Sequence, residues 1–163
     1  MDAPPWSLDE GVLIVPSLIF VLSLAGLADA LYFTFAYYGR VRKFKWVPEV
    51  LCAREGSSCV TVVKTPYARV FGVPNSLLGV FYYVFLIYWA ELGTPVGFEA
   101  EIGGEYRIFR IGWLLITAGA VSVLLGFYLV YALRRKLGVD CPLCYAAHAI
   151  NLALFILLIL SFR

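Results

Sequence analysis

Four cysteines stand in two pairs, Cys52 and Cys59 separated by six residues and Cys141 and Cys144 as a C-x-x-C. Thiols at such spacings suit two-electron redox chemistry, a structural staple or a metal site. Cys141-Pro142-Leu143-Cys144 opens an apolar run that reads as a helix: Asp140 or Cys141 suits the N-cap and Pro142 the first turn. With Cys141 at the cap, Cys144 falls at the third helical position, near unpaired N–H groups and the positive end of the helix dipole. A thiolate, the reactive form, is stabilised there. The run is also long enough to cross a bilayer, so Cys144 belongs at the hydrocarbon edge, within reach of a lipid-soluble oxidant, and Cys141 at the aqueous cap.

Cys52 and Cys59 flank Gly56-Ser57-Ser58, a loop flexible enough to visit both water and Cys141. Exchange requires a thiolate and a disulfide in direct contact, so a mobile pair and a fixed pair together read as a relay. Electrons would run from a reduced client or thioredoxin-like protein to the loop pair, then to Cys141 and Cys144, then to a membrane-soluble acceptor. Two other readings stay open. A structural zinc site built from all four cysteines is disfavoured, because such sites sit in small aqueous domains and one ligand here would stand at the membrane edge. Two plain structural disulfides would staple the loops without turnover.

The elements that must position these thiols follow from hydropathy. The chain has 163 residues, 62% hydrophobic and 15% charged, with a mean hydropathy of +0.85, more apolar than a water-soluble core can hide. Four runs approach the roughly 20 residues needed to span hydrocarbon, at about 11–38, 75–92, 111–133 and 142–162. They predict an all-α integral membrane protein, an up-down four-helix bundle forming a single domain over 1–163. The start Met1-Asp2-Ala3-Pro4-Pro5 lacks the basic region of a cleavable signal peptide, so the first span is expected to stay. Between the first two spans, 39–74 is too long for a turn; its part 60–71 is expected to form a short helix capping the open end of the bundle.

The 39–74 segment and the 134–141 link fall on one side of the membrane, and that side holds all four cysteines. It also carries Arg40, Arg42, Lys43, Lys45, Arg54, Lys64, Arg69, Arg134, Arg135 and Lys136, ten basic residues against Arg107, Arg110 and Arg163 on the other. The bias predicts a cell-membrane protein with its cysteines toward the cytoplasm, the alternative being an extracytoplasmic cysteine side. The run 40–45 reads as an anchor near anionic head groups rather than a nucleic-acid patch. Gln is absent and Asn occurs only at Asn75 and Asn151, which points to a hot-adapted source, where intracellular disulfides occur.

The order Cys52-x6-Cys59, Thr65-Pro66-Tyr67-Ala68, Gly72-Val73-Pro74-Asn75, Gly79, Tyr82-Tyr83 and Cys141-Pro142-Leu143-Cys144 followed by Asn151 resembles the vitamin K epoxide reductase family. The likeness is to prokaryotic, including archaeal, members without a fused thioredoxin-like domain. It implies a four-helix bundle around a quinone. By resemblance, Cys59 exchanges with Cys141, Cys52 meets the external thiol donor, and Cys144 faces and attacks the quinone. Other quinone-linked disulfide-forming membrane proteins carry their C-x-x-C after the first helix, whereas here it opens the last. The sequence departs from the family at Lys64, in place of a serine but beside Thr65, and near His148, where the vertebrate enzymes have a tyrosine. A menaquinone- or ubiquinone-type ring is therefore the expected acceptor rather than vitamin K epoxide.

The ring-binding candidates are Asn75, His148, Tyr67, Phe71 and Tyr82. Asn75 starts the second span, where its amide can bond a quinone carbonyl or simply cap the helix. His148 lies one turn below Cys144 and can pass a proton to the reduced ring or bond another helix. Tyr67, Phe71 and Tyr82 flank the cysteine end; Phe81, Tyr83, Phe85 and Tyr145 are further candidates for an aromatic wall. Asp29, inside the first span, is expected to make an interhelical bond, and Asn151 likewise. The competing function class is a membrane scaffold or small transporter with structural cysteines, for which these polar groups make a thin pathway.

Overall fold

The computed structural model describes residues 7–40, 58–70, 72–92, 97–102 and 105–161, with side chains described over 14–40, 61–70, 72–91 and 112–161. Cys52 and Phe71 lie outside the described residues, as does the side chain of Cys59.

Among the described residues five α-helices carry the fold: α1 (Ser7–Tyr37), α2 (Ser58–Val63), α3 (Asn75–Leu92), α4 (Ile111–Tyr131) and α5 (Pro142–Ser161). Among the described residues, three stretches are long and apolar enough to cross a membrane, Ile14–Tyr37, Gly112–Leu137 and Pro142–Ser161. In such segments every backbone polar group must be satisfied within the helix, which an uninterrupted helix achieves. The fourth run of the sequence is α3, 18 residues long. α4 continues into a π-helical turn, Ala132–Leu137, that carries Arg134, Arg135 and Lys136. Cations are favoured at a helix C-terminus by its dipole. Gly138 closes the turn at φ +62°, a left-handed conformation that favours glycine.

The cysteine side differs from the expected capping helix over 60–71. α2 ends at Val63, and Thr65 is extended (φ −74°, ψ 156°) before a 3₁₀ turn, Pro66–Ala68. The residue before a proline is disfavoured in the helical region, and Thr65 precedes Pro66. A short antiparallel pair follows, β1 (Arg69–Val70) with β2 (Val73–Pro74), which delivers the chain into α3. On the opposite end of the α3–α4 connection, β3 (Gly97–Ile102) pairs with β4 (Glu105–Arg110), from Gly97 opposite Arg110 to Ile102 opposite Glu105. That hairpin was not among the sequence expectations, although two alternating stretches around Gly103-Gly104 are a hairpin signal.

α1 is the hub, packing on α3 and α5, and α5 packs in turn on α4. Direct contact between α3 and α4 is sparse, so the helix cluster is loosest along that seam. Two buried groups hold it. Ile19, Tyr83, Leu86, Leu115, Leu154 and Leu158 fill one, and Phe33, Ala36, Val63, Leu133, Cys141 and Cys144 fill the other. Lipid offers no hydrophobic drive to helix association, so close approach through small residues does that work. Gly26 is in contact with the Tyr83 ring, and a Cβ at Gly126 would stand 2.9 Å from His148 Nδ1.

Candidate functional site

Cys141 and Cys144 form a disulfide with their Cα atoms 5.3 Å apart. α5 begins at Pro142, so Cys141 occupies the cap position, and its Sγ accepts the Cys144 backbone N–H at 3.3 Å. The expected exposure of Cys141 to the aqueous cap is corrected: Cys141 is fully buried, and Cys144 is 8% exposed. The cause is α2, whose Val63 joins Phe33, Leu133 and both cysteines in one buried group. Cys59 precedes Val63 by four residues on α2, the spacing that puts two positions on one helix face.

Below the disulfide lies a cavity of about 570 Å³. Cys144 lines it and Cys141 does not, so one sulfur of the bond borders the cavity, beside Val62 and Val63 of α2, which line it too. Four of the five ring-binding candidates, Asn75, His148, Tyr67 and Tyr82, line the cavity; the fifth, Phe71, is outside the described residues. Asp29, Tyr83 and Asn151 line it too. Three cavity-lining residues, Leu78 on α3 and Leu114 and Val121 on α4, are also 44%, 69% and 50% exposed. The cavity therefore opens sideways at the loose α3–α4 seam, onto the face where lipid would lie.

Polar groups around an otherwise apolar wall are left without partners, which is costly unless a ligand or water meets them. Asn75 donates from Nδ2 to the Tyr67 carbonyl at 3.3 Å, while its Oδ1 is buried and unpaired. Its remaining N–H and Oδ1 can meet a ring oxygen in either state, donating to a carbonyl or accepting from a hydroxyl. His148 Nδ1, Tyr82 OH and Asp29 Oδ1 are likewise buried and unpaired. Asn151 behaves as expected of an interhelical group, its Oδ1 accepting the Tyr83 hydroxyl at 2.6 Å. The interhelical bond expected of Asp29 is not made by Oδ1.

The family model of the Vitamin K epoxide reductase family matches residues 17–159, most of the chain. The chain belongs to the vitamin K epoxide reductase family. Among curated proteins, Thiol-disulfide oxidoreductase LTO1 of Arabidopsis thaliana is 32% identical over 114 residues, 67% of this chain. Those residues amount to 28% of that protein, so the chain spans under a third of its relative's length. The reductase-family match covers α3, α4 and the C-x-x-C, and together with the relative it supports thiol–disulfide redox chemistry in a membrane protein.

Within this reductase-family site, some aromatic candidates fall elsewhere. Phe81 and Phe85 are 68% and 43% exposed and do not line the cavity. Tyr145 turns away as well, donating to Asp140 Oδ1 at 3.0 Å and accepting from Arg134 Nε at 3.3 Å. An aromatic on an apolar helix faces lipid as readily as a cavity, so its type says nothing of its direction. What the sequence reading missed is the share of α4: Thr117, Ser122, Leu125 and Leu129 all line the cavity. The small hydroxyls Thr117 and Ser122 were the available signal in an otherwise apolar run.

Proposed function

We propose that this protein is a quinone-dependent, disulfide-forming oxidoreductase whose Cys141–Cys144 disulfide takes electrons from Cys52 and Cys59 and passes them to a quinone in the cavity. The carrying observation is that Cys144 lines the cavity while Cys141, buried with it in the group that includes Val63 of α2, does not. In such a site Cys59, on α2, exchanges with Cys141, and Cys52 meets a thioredoxin-like thiol protein. Cys144 meets the ring, Asn75 and His148 bond its oxygens, and Tyr67, Tyr82 and Phe71 belong to its surroundings. The polar balance favours a flat apolar dione of the menaquinone or ubiquinone type. Its tail leaves through the α3–α4 seam.

α3 acts as a fourth crossing: a straight helix of its length spans about 27 Å, close to the thickness of a hydrocarbon core. The cysteine side then carries the basic excess and faces the cytoplasm. Labelling Cys52 in intact cells with an impermeant thiol reagent checks that orientation, since rapid labelling without permeabilisation would reverse it.

The overall reaction balances without a further reactant. A donor dithiol becomes a disulfide and releases two electrons and two protons; the quinone takes both pairs and becomes a hydroquinone. Exchange steps along the relay only move the disulfide. The test is turnover of purified protein in detergent with a reduced dithiol and a soluble quinone. Wild type should turn over, Cys144→Ser should be dead with any dithiol, and Cys52→Ser should fail only with a protein donor. A wild type inactive with every quinone, with all four cysteines unreactive after reduction, would overturn the reading.

A further inference from the structure

Asp29 is a carboxyl whose Oδ1 lacks the partner that its position in an apolar helix demands. It lies on α1, inside the Ile14–Tyr37 stretch, and lines the same cavity as Cys144. Its Oδ1 is buried with no hydrogen-bond partner. A polar group in such a place is costly unless a ligand or water completes it. Depth along the bundle follows from the helices. Phe33 on α1 shares a buried group with Cys141 and Cys144 on α5, which sets those three at one level. Asp29 is four residues before Phe33 and His148 four after Cys144, so each lies one turn, about 6 Å, further into the bundle. Gly26, one turn beyond Asp29, is in contact with the Tyr83 ring, and Ala30 meets the Gly79 position at 3.5 Å, so this face of α1 is turned to α3.

The other polar groups around the cavity differ from Asp29 in chemistry, and two of them are committed to partners. The Tyr83 hydroxyl donates to Asn151. Asn75 is an amide, tied to the Tyr67 carbonyl, and has no proton to give up. His148 Nδ1, beside Gly126, and the Tyr82 hydroxyl, beside Gly119, are the remaining unpaired polar atoms. The further titratable groups near Asp29 are Tyr67 on the cavity wall and Tyr32 on α1 itself. Asp29 is the one carboxyl among the described cavity residues.

The geometry points to Asp29 as a catalytic proton donor to the quinone, delivering a proton to a ring oxygen from the α1 side while electrons arrive from Cys144. The inference rests on the quinone reading above. In the step, the reduced Cys141–Cys144 pair gives up two electrons and two protons and closes its S–S bond. The quinone accepts both electrons. One of its oxygens takes a proton from the Asp29 carboxyl and the other takes one thiol proton. The second thiol proton restores the carboxyl by way of cavity water, so the sum is dithiol plus quinone giving disulfide plus hydroquinone.

The test uses full-length protein in detergent with ubiquinone carrying one isoprene unit, comparing wild type, Asp29→Asn and Asp29→Glu. Asn keeps the size and loses the proton. Positioned general acids contribute about 100-fold or more, so Asp29→Asn should lose about 100-fold in kcat with the quinone KM within about twofold of wild type. Asp29→Glu should recover part of that loss. Dithiol-driven reduction of the Cys141–Cys144 disulfide, followed by thiol labelling, should be unchanged in both variants. A wild-type kcat in Asp29→Asn overturns the assignment. Should that variant not fold, infrared difference spectra of wild type with and without quinone reduction serve instead: a protonated-carboxyl band that changes on reduction and shifts in Asp29→Glu supports Asp29, and its absence refutes it. A wild type that exchanges disulfides but never reduces quinone fails earlier, and sinks the quinone reading itself.

Discussion

Gly126→Ala is a perturbation whose effect should run through a single neighbour. A methyl at this position would lie 2.9 Å from His148 Nδ1 and 3.3 Å from Cγ, where ordinary contact begins at 3.4 Å; only the His148 Cβ, at 3.6 Å, is far enough away. The imidazole must move, and overpacking of this kind costs about 1–3 kcal/mol. Replacing glycine by alanine inside a helix returns about 1 kcal/mol, so the net loss of stability should be about 0–2 kcal/mol. The displaced imidazole sits on the cavity wall, and a change of 1–2 kcal/mol at a ligand corresponds to about 5–30-fold in affinity. Gly126→Ala should therefore weaken quinone binding by about as much as it disturbs the fold, about 1–2 kcal/mol. In a His148→Ala background the two crowding ring atoms are gone, and the same methyl fills space left by the imidazole. There Gly126→Ala should change sign and stabilise by up to about 1 kcal/mol. A double-mutant cycle, read by denaturant unfolding in detergent and by quinone KM, measures both quantities. Equal cost of Gly126→Ala in the two backgrounds would refute the argument.

Tyr83→Phe leaves the Asn151 Oδ1 buried without the 2.6 Å bond it accepts. Interhelical bonds of this type average about 0.6 kcal/mol in membrane proteins and reach about 1.7; unfolding should report a loss in that range, and Asn151→Leu on top of Tyr83→Phe should add little further. Val63→Asp puts a charge into the buried group around Cys141. Val63 also lines the cavity, so an uncompensated charge there should slow both electron transfer from the loop cysteines and quinone reduction by a pre-reduced Cys141–Cys144 pair, as single-turnover measurements of each step would show. Cys144→Ser leaves Cys141 without its partner, and a stable mixed disulfide between Cys59 and Cys141 should then accumulate, visible by peptide mapping without reduction.

Much of the site was legible because helical spacing carries it. Cys144, His148 and Asn151 repeat on one face of α5, and all three line the cavity. Asn75 was readable from its place at the head of α3, and the structure adds its bond to Tyr67. Directions across an apolar helix were not legible: nothing local distinguishes Tyr82, on the cavity, from Phe81, 68% exposed beside it. α4 gave the least warning, since its apolar residues cover its whole circumference and only packing selects Leu125 and Leu129 for the wall. The break in the expected 60–71 helix was in principle readable from Thr65-Pro66. The burial of Cys141 was not, because it depends on where α2 comes to rest.

In the proposed relay, that burial gives the electron route an insulating sleeve. Small thiols and molecular oxygen in the surrounding water meet no accessible sulfur at Cys141, and the 8% exposure of Cys144 leaves little more. In such a relay, shape alone would limit leakage of reducing equivalents to such bystanders in the water. A protein wired in this way can keep a strongly oxidising end and a reducing compartment in contact without short-circuiting them, and its fidelity is then governed by how tightly α2 sits.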